Sequence, residues 1–304
     1  YSTILTSKDG LSWVLRSSEI DDWGRITFGN KTFVAVAGLG SLYASPDGYA
    51  WTPTVSGIGY DLYGVAFCGE TFVAVGKSGA MLISHDGRTW ASGHSKNSSR
   101  LESITYANNI FIAVGSGGTI ITSSDRIPCD STIWTLRASG TTADLHGIAY
   151  GNDSFVAVGS SGTILTSPDG IRWTQGSSGT AAYLSDVAFG GKTFVAIGEG
   201  GSTLSSSDGI TWKKEASGTI DNLYAITYAN SLFVTVGFSG IIITSADGEV
   251  WTTRNSGTAS DLHGVTYGNN IFVAVGYSGT ILISKDGVFW ESVGSGIPSY
   301  LRGL

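Results

Sequence analysis

The sequence predicts an all-β protein, a β-propeller of four-stranded antiparallel blades. The motif S-x-D-G-x-x-W recurs along the chain, and its tryptophans, including one distorted copy, are spaced 38, 39, 44, 39, 39, 39 and 39 residues apart. Each period also contains several short apolar segments of strand length. A period of about forty residues with several strands per repeat is typical of propeller blades.

The repeated motif has the properties of a tight turn between two strands. The copy at Ser167–Trp173 follows one apolar segment and precedes a strand that begins at Trp173. The Asp side chain can accept hydrogen bonds from the next backbone N–H groups, and the Gly supplies a positive φ without steric cost. The Trp ring buries a large area, and its N–H can reach a carbonyl. The predicted turn aspartates are Asp9, Asp47, Asp86, Asp125, Asp169, Asp208, Asp247 and Asp286.

Each complete repeat divides into four predicted strands, named a to d in chain order. The b strands are apolar on both faces, as in Phe155–Val158 and Phe272–Val275. A strand in a sheet exposed on one side would alternate apolar with polar residues. We therefore expect both faces of each b strand to pack against neighbouring blades.

The number of blades depends on the two chain ends. The repeats run without interruption, so we expect one domain, 1–304, rather than two. Seven consecutive repeats occupy 23–294, between a c–d hairpin in 1–22 and the beginning of an a strand in 295–304. An open ring would leave bare strand edges. The prediction is therefore eight blades, the eighth split between the termini and lacking its b strand, with seven blades as the alternative.

The motif resembles the Asp-box (BNR) repeat of sialidases, sortilin-type receptors and photosystem assembly factors. The family form is S-x-D-x-G-x-x-W, which has one residue more between Asp and Gly than copies such as Ser167–Trp173. The resemblance extends over the whole chain and implies the propeller fold. In that family the box is structural and lies far from the active site.

Composition and charge exclude several classes of function. The chain has 304 residues, of which 41% are hydrophobic, and this is enough for a large core. A net charge of −7 argues against a nucleic-acid partner. No apolar stretch reaches the length of about eighteen residues that predicts a membrane span. No spacing resembles a zinc or calcium site, so we expect neither a metal nor another cofactor.

The candidate ligand site lies on one face of the predicted ring. In a propeller the d–a and b–c loops share a face, and loops on a rigid scaffold commonly carry function. Aromatic, histidine and charged residues at the variable positions of this face would surround a central pocket suited to a sugar or a peptide. Ordinary variation of solvated loops is the alternative. The predicted ligand-binding residues are Arg25, Tyr63, Lys77, His146, Tyr224, Phe238, His263, Tyr277 and Arg302.

Carboxylates on the same face raise the alternative of a glycoside hydrolase. Glycoside cleavage requires a paired acid and base. The candidates for these catalytic roles are Glu102, Asp186 and Glu199. The resemblance to sialidases implies three arginines for the substrate carboxylate, and only Arg25 and Arg302 are well placed. A structural ion pair is the other interpretation of the carboxylates.

The oxidation state of the two cysteines would indicate the cellular compartment of the protein. Cys68 ends strand a of the second blade, and Cys129 lies in an insertion of the third, so both should lie on the lower face of adjacent blades. A disulfide between them would indicate an oxidising compartment, and two reduced thiols are the alternative. Alkylation of the native protein without reductant, followed by mass spectrometry, separates the two, since two alkylated cysteines would exclude the bond.

These observations predict a non-enzymatic, exported binding or assembly module. A catalytic centre needs unlike groups at one place, whereas repeats that differ only modestly favour multivalent contacts or a structural role. The expected ligand is a carbohydrate or a protein, and the expected location is extracellular, at the cell surface or in the periplasm. The alternatives are an Asp-box glycoside hydrolase and a self-assembling protomer of a larger extracellular assembly. Neither a nucleic-acid partner nor a membrane span is expected.

Overall fold

The molecule is a β-propeller of seven four-stranded antiparallel blades. The computed structural model describes residues 2–20, 24–93, 95, 97–123, 133–298 and 300–303. Within each four-stranded sheet the strands are hydrogen-bonded in chain order. The first strands of successive blades pack against one another, so strand a of every blade lies at the centre of the ring.

The strands have the following bounds. A two-stranded sheet consists of β1 (Ser2–Thr6) and β2 (Val14–Ile20). Blade 1 consists of β3 (Arg25–Gly29), β4 (Thr32–Val36), β5 (Leu42–Ser45) and β6 (Thr52–Thr54). Blade 2 consists of β7 (Leu62–Cys68), β8 (Thr71–Gly76), β9 (Met81–Ser84) and β10 (Ala91–Ser92). Blade 3 consists of β11 (Leu101–Ala107), β12 (Ile110–Gly115), β13 (Thr119–Ser123) and β14 (Trp134–Arg137). Blade 4 consists of β15 (Leu145–Gly151), β16 (Ser154–Gly159), β17 (Ile164–Ser167) and β18 (Thr174–Gln175). Blade 5 consists of β19 (Leu184–Gly190), β20 (Thr193–Gly198), β21 (Thr203–Ser206) and β22 (Lys213–Glu215). Blade 6 consists of β23 (Leu223–Ala229), β24 (Leu232–Gly237), β25 (Ile242–Ser245) and β26 (Thr252–Arg254). Blade 7 consists of β27 (Leu262–Gly268), β28 (Ile271–Gly276), β29 (Thr280–Ser284) and β30 (Glu291–Gly294).

The prediction of eight blades is wrong. Among the described residues, seven sheets have four strands, and β1 and β2 pair only with each other. Residues 301–303, which resemble the beginning of an a strand, form no strand. An a strand needs a b strand for its hydrogen-bond ladder, and none of the described residues provides one for this segment. The described residues of these terminal segments, 2–20, 295–298 and 300–303, therefore do not make a further four-stranded blade.

The two-stranded sheet nevertheless contacts both end blades. The Asn269 side chain of blade 7 donates a hydrogen bond from Nδ2 to the carbonyl oxygen of Lys8, at 3.3 Å. On the other side, the Arg16 guanidinium lies 4.6 Å from the ring centre of Tyr49, in blade 1. Ile4 is buried in a cluster with Ala35.

The core lies between blades. The side chains of β16 and β20 are buried on both faces of the strand, apart from the first residue of each. One cluster joins Val156 and Ile164 of blade 4 to Leu184, Phe194 and Leu204 of blade 5. Each b strand is therefore enclosed by its own blade and the neighbouring blades, which accounts for its continuous apolar sequence.

The c–d turns are held by the residues of the repeated motif. In blade 5, Ser206 Oγ accepts a hydrogen bond from Gly209 N–H at 2.8 Å. Asp208 Oδ1 accepts hydrogen bonds from the next backbone N–H groups, including that of Thr211 at 2.7 Å. Trp212 Nε1 donates to the Gly209 carbonyl at 2.9 Å. Aspartates with the same contacts are Asp9, Asp47, Asp86, Asp169, Asp247 and Asp286, whereas Asp125 lies outside the described residues.

These turns are expected to make the fold sensitive to acid. The Thr211 N–H bond is the main cause of the lowered pKa of Asp208. At Asp86, burial acts in the opposite direction, but bonds from the N–H groups of Thr89 and Arg88 outweigh it and lower the pKa from 3.8 to about 2. A carboxyl group with a lowered folded-state pKa contributes stability that is complete above the unfolded pKa and is lost as the pH falls through the folded pKa. The urea midpoint, followed by tryptophan fluorescence, should therefore fall between about pH 4 and about pH 2.

The control for this prediction is Asp208→Asn, which removes one of the titrating groups. This variant should show a smaller loss of the urea midpoint across the same pH range. A midpoint that is constant down to about pH 2 would contradict the role of the turn aspartates.

Candidate functional site

The a strands and the loops that lead into them surround a central pocket of about 670 Å³. Its lining residues come from all seven blades and from the segment 300–303. It opens on the face of the d–a and b–c loops, and its volume lies within the range of about 300–1,000 Å³ that is common for ligand sites.

The pocket brings together most of the predicted site residues. Two of the predicted ligand-binding residues, Lys77 and Phe238, are not in the lining of the pocket. Lys77 Nζ lies 4.0 Å from Asp61 Oδ2, and Phe238 is exposed in a b–c turn. Of the candidate catalytic carboxylates, Glu102 and Asp186 line the pocket, whereas Glu199 does not. The predicted ligand-binding residues in the lining are Arg25, Tyr63, His146, Tyr224, His263, Tyr277 and Arg302. That they bind a ligand stays a prediction.

A second ring of pocket residues was missed from the sequence. Each lies one position before a buried leucine, which in four of the five cases opens an a strand. Five of the seven predicted residues in the lining lie one position after such a leucine. Side chains two positions apart on a strand project to the same face, so both rings face the axis. This alternation around the leucine is the signal that could have identified them. The missed residues are Arg100, Asp144, Tyr183, Asp261 and Tyr300.

Blades 2 and 3 contribute an ion pair to the wall. Arg100 Nε lies 2.8 Å from Glu102 Oε1, and the guanidinium lies 4.3 Å from the ring centre of Tyr63. Burial raises the pKa of Glu102, Arg100 opposes this effect, and the negative charge of Asp144 adds to it. Glu102 is thus a partly buried carboxyl group with one cationic partner.

Blades 4 and 5 contribute a stacked pair of rings. The His146 and Tyr183 rings lie 4.3 Å apart at an angle of 27°. His146 Nε2 lies 3.0 Å from Ser160 Oγ. Burial lowers the pKa of His146 and raises that of Tyr183, so both rings are neutral at neutral pH.

Blades 6 and 7 and the segment 300–303 contribute a larger aromatic cluster. The Tyr224 and His263 rings are stacked at 4.8 Å, and the Tyr277 ring meets His263 edge-on at 4.9 Å. The ring centre of Tyr300 lies 4.1 Å from that of Tyr277. The Tyr300 hydroxyl lies 3.3 Å from His263 Nε2. Arg302 donates a hydrogen bond to the Tyr300 hydroxyl. Burial, followed by the positive charge of Arg302, lowers the pKa of His263 to about 4, so this histidine is also neutral at neutral pH.

Asp186 joins two blades. Its Oδ1 accepts a hydrogen bond from the next residue's N–H at 2.9 Å, and its Oδ2 accepts one from Ile226 N–H of blade 6 at 3.2 Å. The neighbouring Ser185 hydroxyl donates to the Leu223 carbonyl of blade 6 at 2.7 Å. Burial raises the pKa of Asp186, and the positive charge of Arg25 opposes this effect. Both carboxylate oxygens of Asp186 therefore already accept backbone hydrogen bonds where blades 5 and 6 meet.

The described ranges contain no group of three or more His, Cys, Asp or Glu side chains that could hold a metal ion. In the same part of the chain, no helix has the length and apolar character needed to cross a membrane. Cys68 is buried at the end of β7, whereas Cys129 lies outside the described residues, so the disulfide stays a prediction.

Comparisons with known proteins agree on the fold. Residues 176–262 match the DUF6242 beta propeller domain, and no curated protein matches the chain. YCF48 from Cyanidioschyzon merolae has a TM-score of 0.65 and 18% identity, over 91% of this chain and 98% of its own. A structure of YCF48 bound to D1 peptide has a TM-score of 0.66 and 16% identity, over 91% of this chain and 93% of its own.

A designed protein is also similar. The computationally designed Ika8 protein has a TM-score of 0.74 and 15% identity, over 94% of this chain and 92% of its own. Identities this low show a common fold and no more, and the family match covers less than a third of the chain. The resemblance to the Asp-box (BNR) repeat stays a prediction. The chain is thus a β-propeller with the fold of these proteins, and its segment 176–262 is similar to the DUF6242 beta propeller domain.

Proposed function

We propose that this propeller is a non-enzymatic binding module whose central pocket holds a segment of a protein partner. The observation that carries the proposal is the lining of the pocket, in which tyrosine, histidine and arginine side chains from different blades converge. Tyrosine and arginine are enriched among the residues that dominate binding energy at protein interfaces. Tyrosine also supplies a large contact area at a low cost in side-chain entropy.

The arrangement of the rings supports the same proposal. Tyr224, His263, Tyr277 and Tyr300 contact one another, which limits the rotation of each side chain before a ligand arrives. Such preorganisation reduces the entropic cost of binding. One protein of similar fold is recorded bound to a peptide, YCF48 with D1 peptide. That likeness supports a peptide ligand here by analogy of fold alone.

Glycoside hydrolysis has less support from the geometry. Cleavage requires one carboxylic acid and one carboxylate that flank the scissile bond. Glu199 is outside the pocket lining, and both oxygens of Asp186 accept backbone hydrogen bonds. The one observation that favours hydrolysis is the raised pKa of Glu102, which would suit a general acid.

The proposal is tested by selecting displayed random peptides on the native protein. Selected peptides should bind Tyr277→Ala at least about tenfold more weakly, because this substitution removes a ring from the centre of the aromatic wall. Phe289→Ala is the matched control, since Phe289 is 76% exposed in a c–d turn and should leave binding unchanged. The readout is the dissociation constant by calorimetry.

Two outcomes would overturn the proposal. One is selected peptides that bind wild type and Tyr277→Ala equally well. The other is turnover of chromogenic glycosides that disappears with Glu102→Gln, which would establish hydrolysis instead.

A further inference from the structure

The pocket contains the same sequence unit twice. The sequence Asp-Leu-His-Gly occurs at 144–147 and again at 261–264, and in both cases the next repeat supplies a tyrosine just before its own leucine. The first unit consists of Asp144, His146 and Tyr183, and the second unit consists of Asp261, His263 and Tyr300.

The aspartates of the two units have the same role. Asp144 Oδ1 accepts a hydrogen bond at 2.7 Å from Gly117 N–H, in the b–c turn of the preceding blade. Asp261 Oδ1 accepts the equivalent bond at 2.8 Å from Ser239 N–H. Within the described ranges no hydrogen bond reaches Oδ2 of Asp144, so this oxygen is available to a ligand.

The units differ in what lies beside the tyrosine. Arg302, two positions after Tyr300, places its guanidinium 4.4 Å from the Tyr300 ring centre. The equivalent position after Tyr183 is Ser185, whose hydroxyl donates to the backbone of blade 6. The second unit thus contains a cation supplied by the chain itself. The first unit has no such cation from its own strand, and Tyr183 is 42% exposed.

The charges around the first unit favour a cation. Burial and then the negative charge of Glu102 raise the pKa of Tyr183, Arg100 opposes them, and the negative charge of Asp144 adds to them, so both carboxylates act on this residue. Arg100 supplies one positive charge, and His146 is neutral at neutral pH. One negative charge therefore remains uncompensated. A cation over the Tyr183 ring would gain from the face of the ring and from the carboxylates.

We propose that the first unit is the subsite for a cationic side chain of the partner, an arginine or a lysine, which lies over Tyr183 as Arg302 lies over Tyr300. The inference rests on the proposed function, because the subsite is part of the same pocket. It adds the chemistry of one ligand group, a monocation that donates hydrogen bonds.

Capped tripeptides test this inference directly. Acetyl-Gly-Arg-Gly-amide and its lysine analogue should bind at least about tenfold more tightly than acetyl-Gly-Gln-Gly-amide, which lacks the charge. Amide signals in NMR spectra of the isotope-labelled protein report the site, and those around Tyr183 should shift. Equal binding of the three peptides would overturn the subsite.

The repeated unit supplies matched variants. Asp144→Asn should weaken arginine-peptide binding about tenfold. Asp61→Asn should leave it unchanged, because Asp61 Oδ1 accepts the equivalent bond from Leu39 N–H at 2.9 Å but Asp61 is not in the pocket lining. In both variants asparagine keeps the acceptor for the b–c turn, and circular dichroism checks the fold. Arg302→Ser should open the second unit, so that signals around Tyr300 also shift.

The outcomes distinguish this inference from the proposed function. Equal weakening by Asp144→Asn and Asp61→Asn would overturn the cationic subsite, as would an Arg302→Ser variant with no added site. If selected peptides still depend on Tyr277 in that case, the binding module stands and only its cationic subsite is wrong.

Discussion

Replacing Phe194 by alanine is expected to lower the free energy of unfolding by about 3–5 kcal/mol. Phe194 lies on β20, is fully buried, and has its ring centre 4.6 Å from that of Phe189. Its cluster includes Val156 of blade 4 and Leu204 of blade 5, so the lost ring would leave a cavity between two blades. Because both blades are held by ladder hydrogen bonds, the cavity can collapse only partly. Urea unfolding followed by tryptophan fluorescence gives the loss.

Phe289→Ala is the control for this substitution. Phe289 is 76% exposed, and its removal should change the free energy of unfolding by less than about 0.5 kcal/mol. Phe233, the equivalent of Phe194 in blade 6, is also fully buried, and its replacement by alanine should cost a similar amount. A loss of less than about 1 kcal/mol at both buried positions would contradict the packing between blades.

Those features of the fold that a single repeat determines were predictable from the sequence. The spacing of the Trp residues and the apolar run of β20 are properties of a single repeat, and they predicted blades with both faces buried. The number of blades is a different quantity, because it depends on the partners of the terminal segments. Residues 301–303 have the sequence of an a strand but no b strand to pair with among the described residues, and sequence similarity alone does not show whether a segment has such a partner.

The candidate site was predictable only in part. His146 and His263 were found because they stand at the variable position after a repeated leucine. Tyr183 and Tyr300 were missed because the prediction took only the position after the leucine, although strand alternation also places the position before it on the same face. The bonds of Asp186 to blade 6 could not be seen, since they depend on a neighbour about one repeat away in the chain.

Gly198→Ala is expected to lower the free energy of unfolding by about 3 kcal/mol, at the upper end of overpacking effects. A Cβ atom at this position would overlap the carbonyl oxygen of Tyr183. That carbonyl accepts a hydrogen bond from Glu199 N–H at 2.8 Å, and Gly198 N–H donates to Ser202 at 2.9 Å. Neither backbone segment can therefore move without losing a hydrogen bond. Urea unfolding measures the effect.

Gly294→Ala is the matched control, because a Cβ there would have no atom within 4 Å, and its cost should be below about 0.5 kcal/mol. Equal losses in the two variants would contradict the close approach at Gly198. Binding of the arginine tripeptide gives a second readout, since displacement of the Tyr183 backbone should weaken it in Gly198→Ala alone. The same contact, between the glycine that ends a b strand and the carbonyl one residue before the a-strand leucine, recurs in other blades at Gly76, Gly115, Gly159, Gly237 and Gly276. These glycines therefore fix the backbone of the ring of residues that includes Arg100, Asp144 and Tyr183, and a side chain at any of them should disturb the pocket wall beside it.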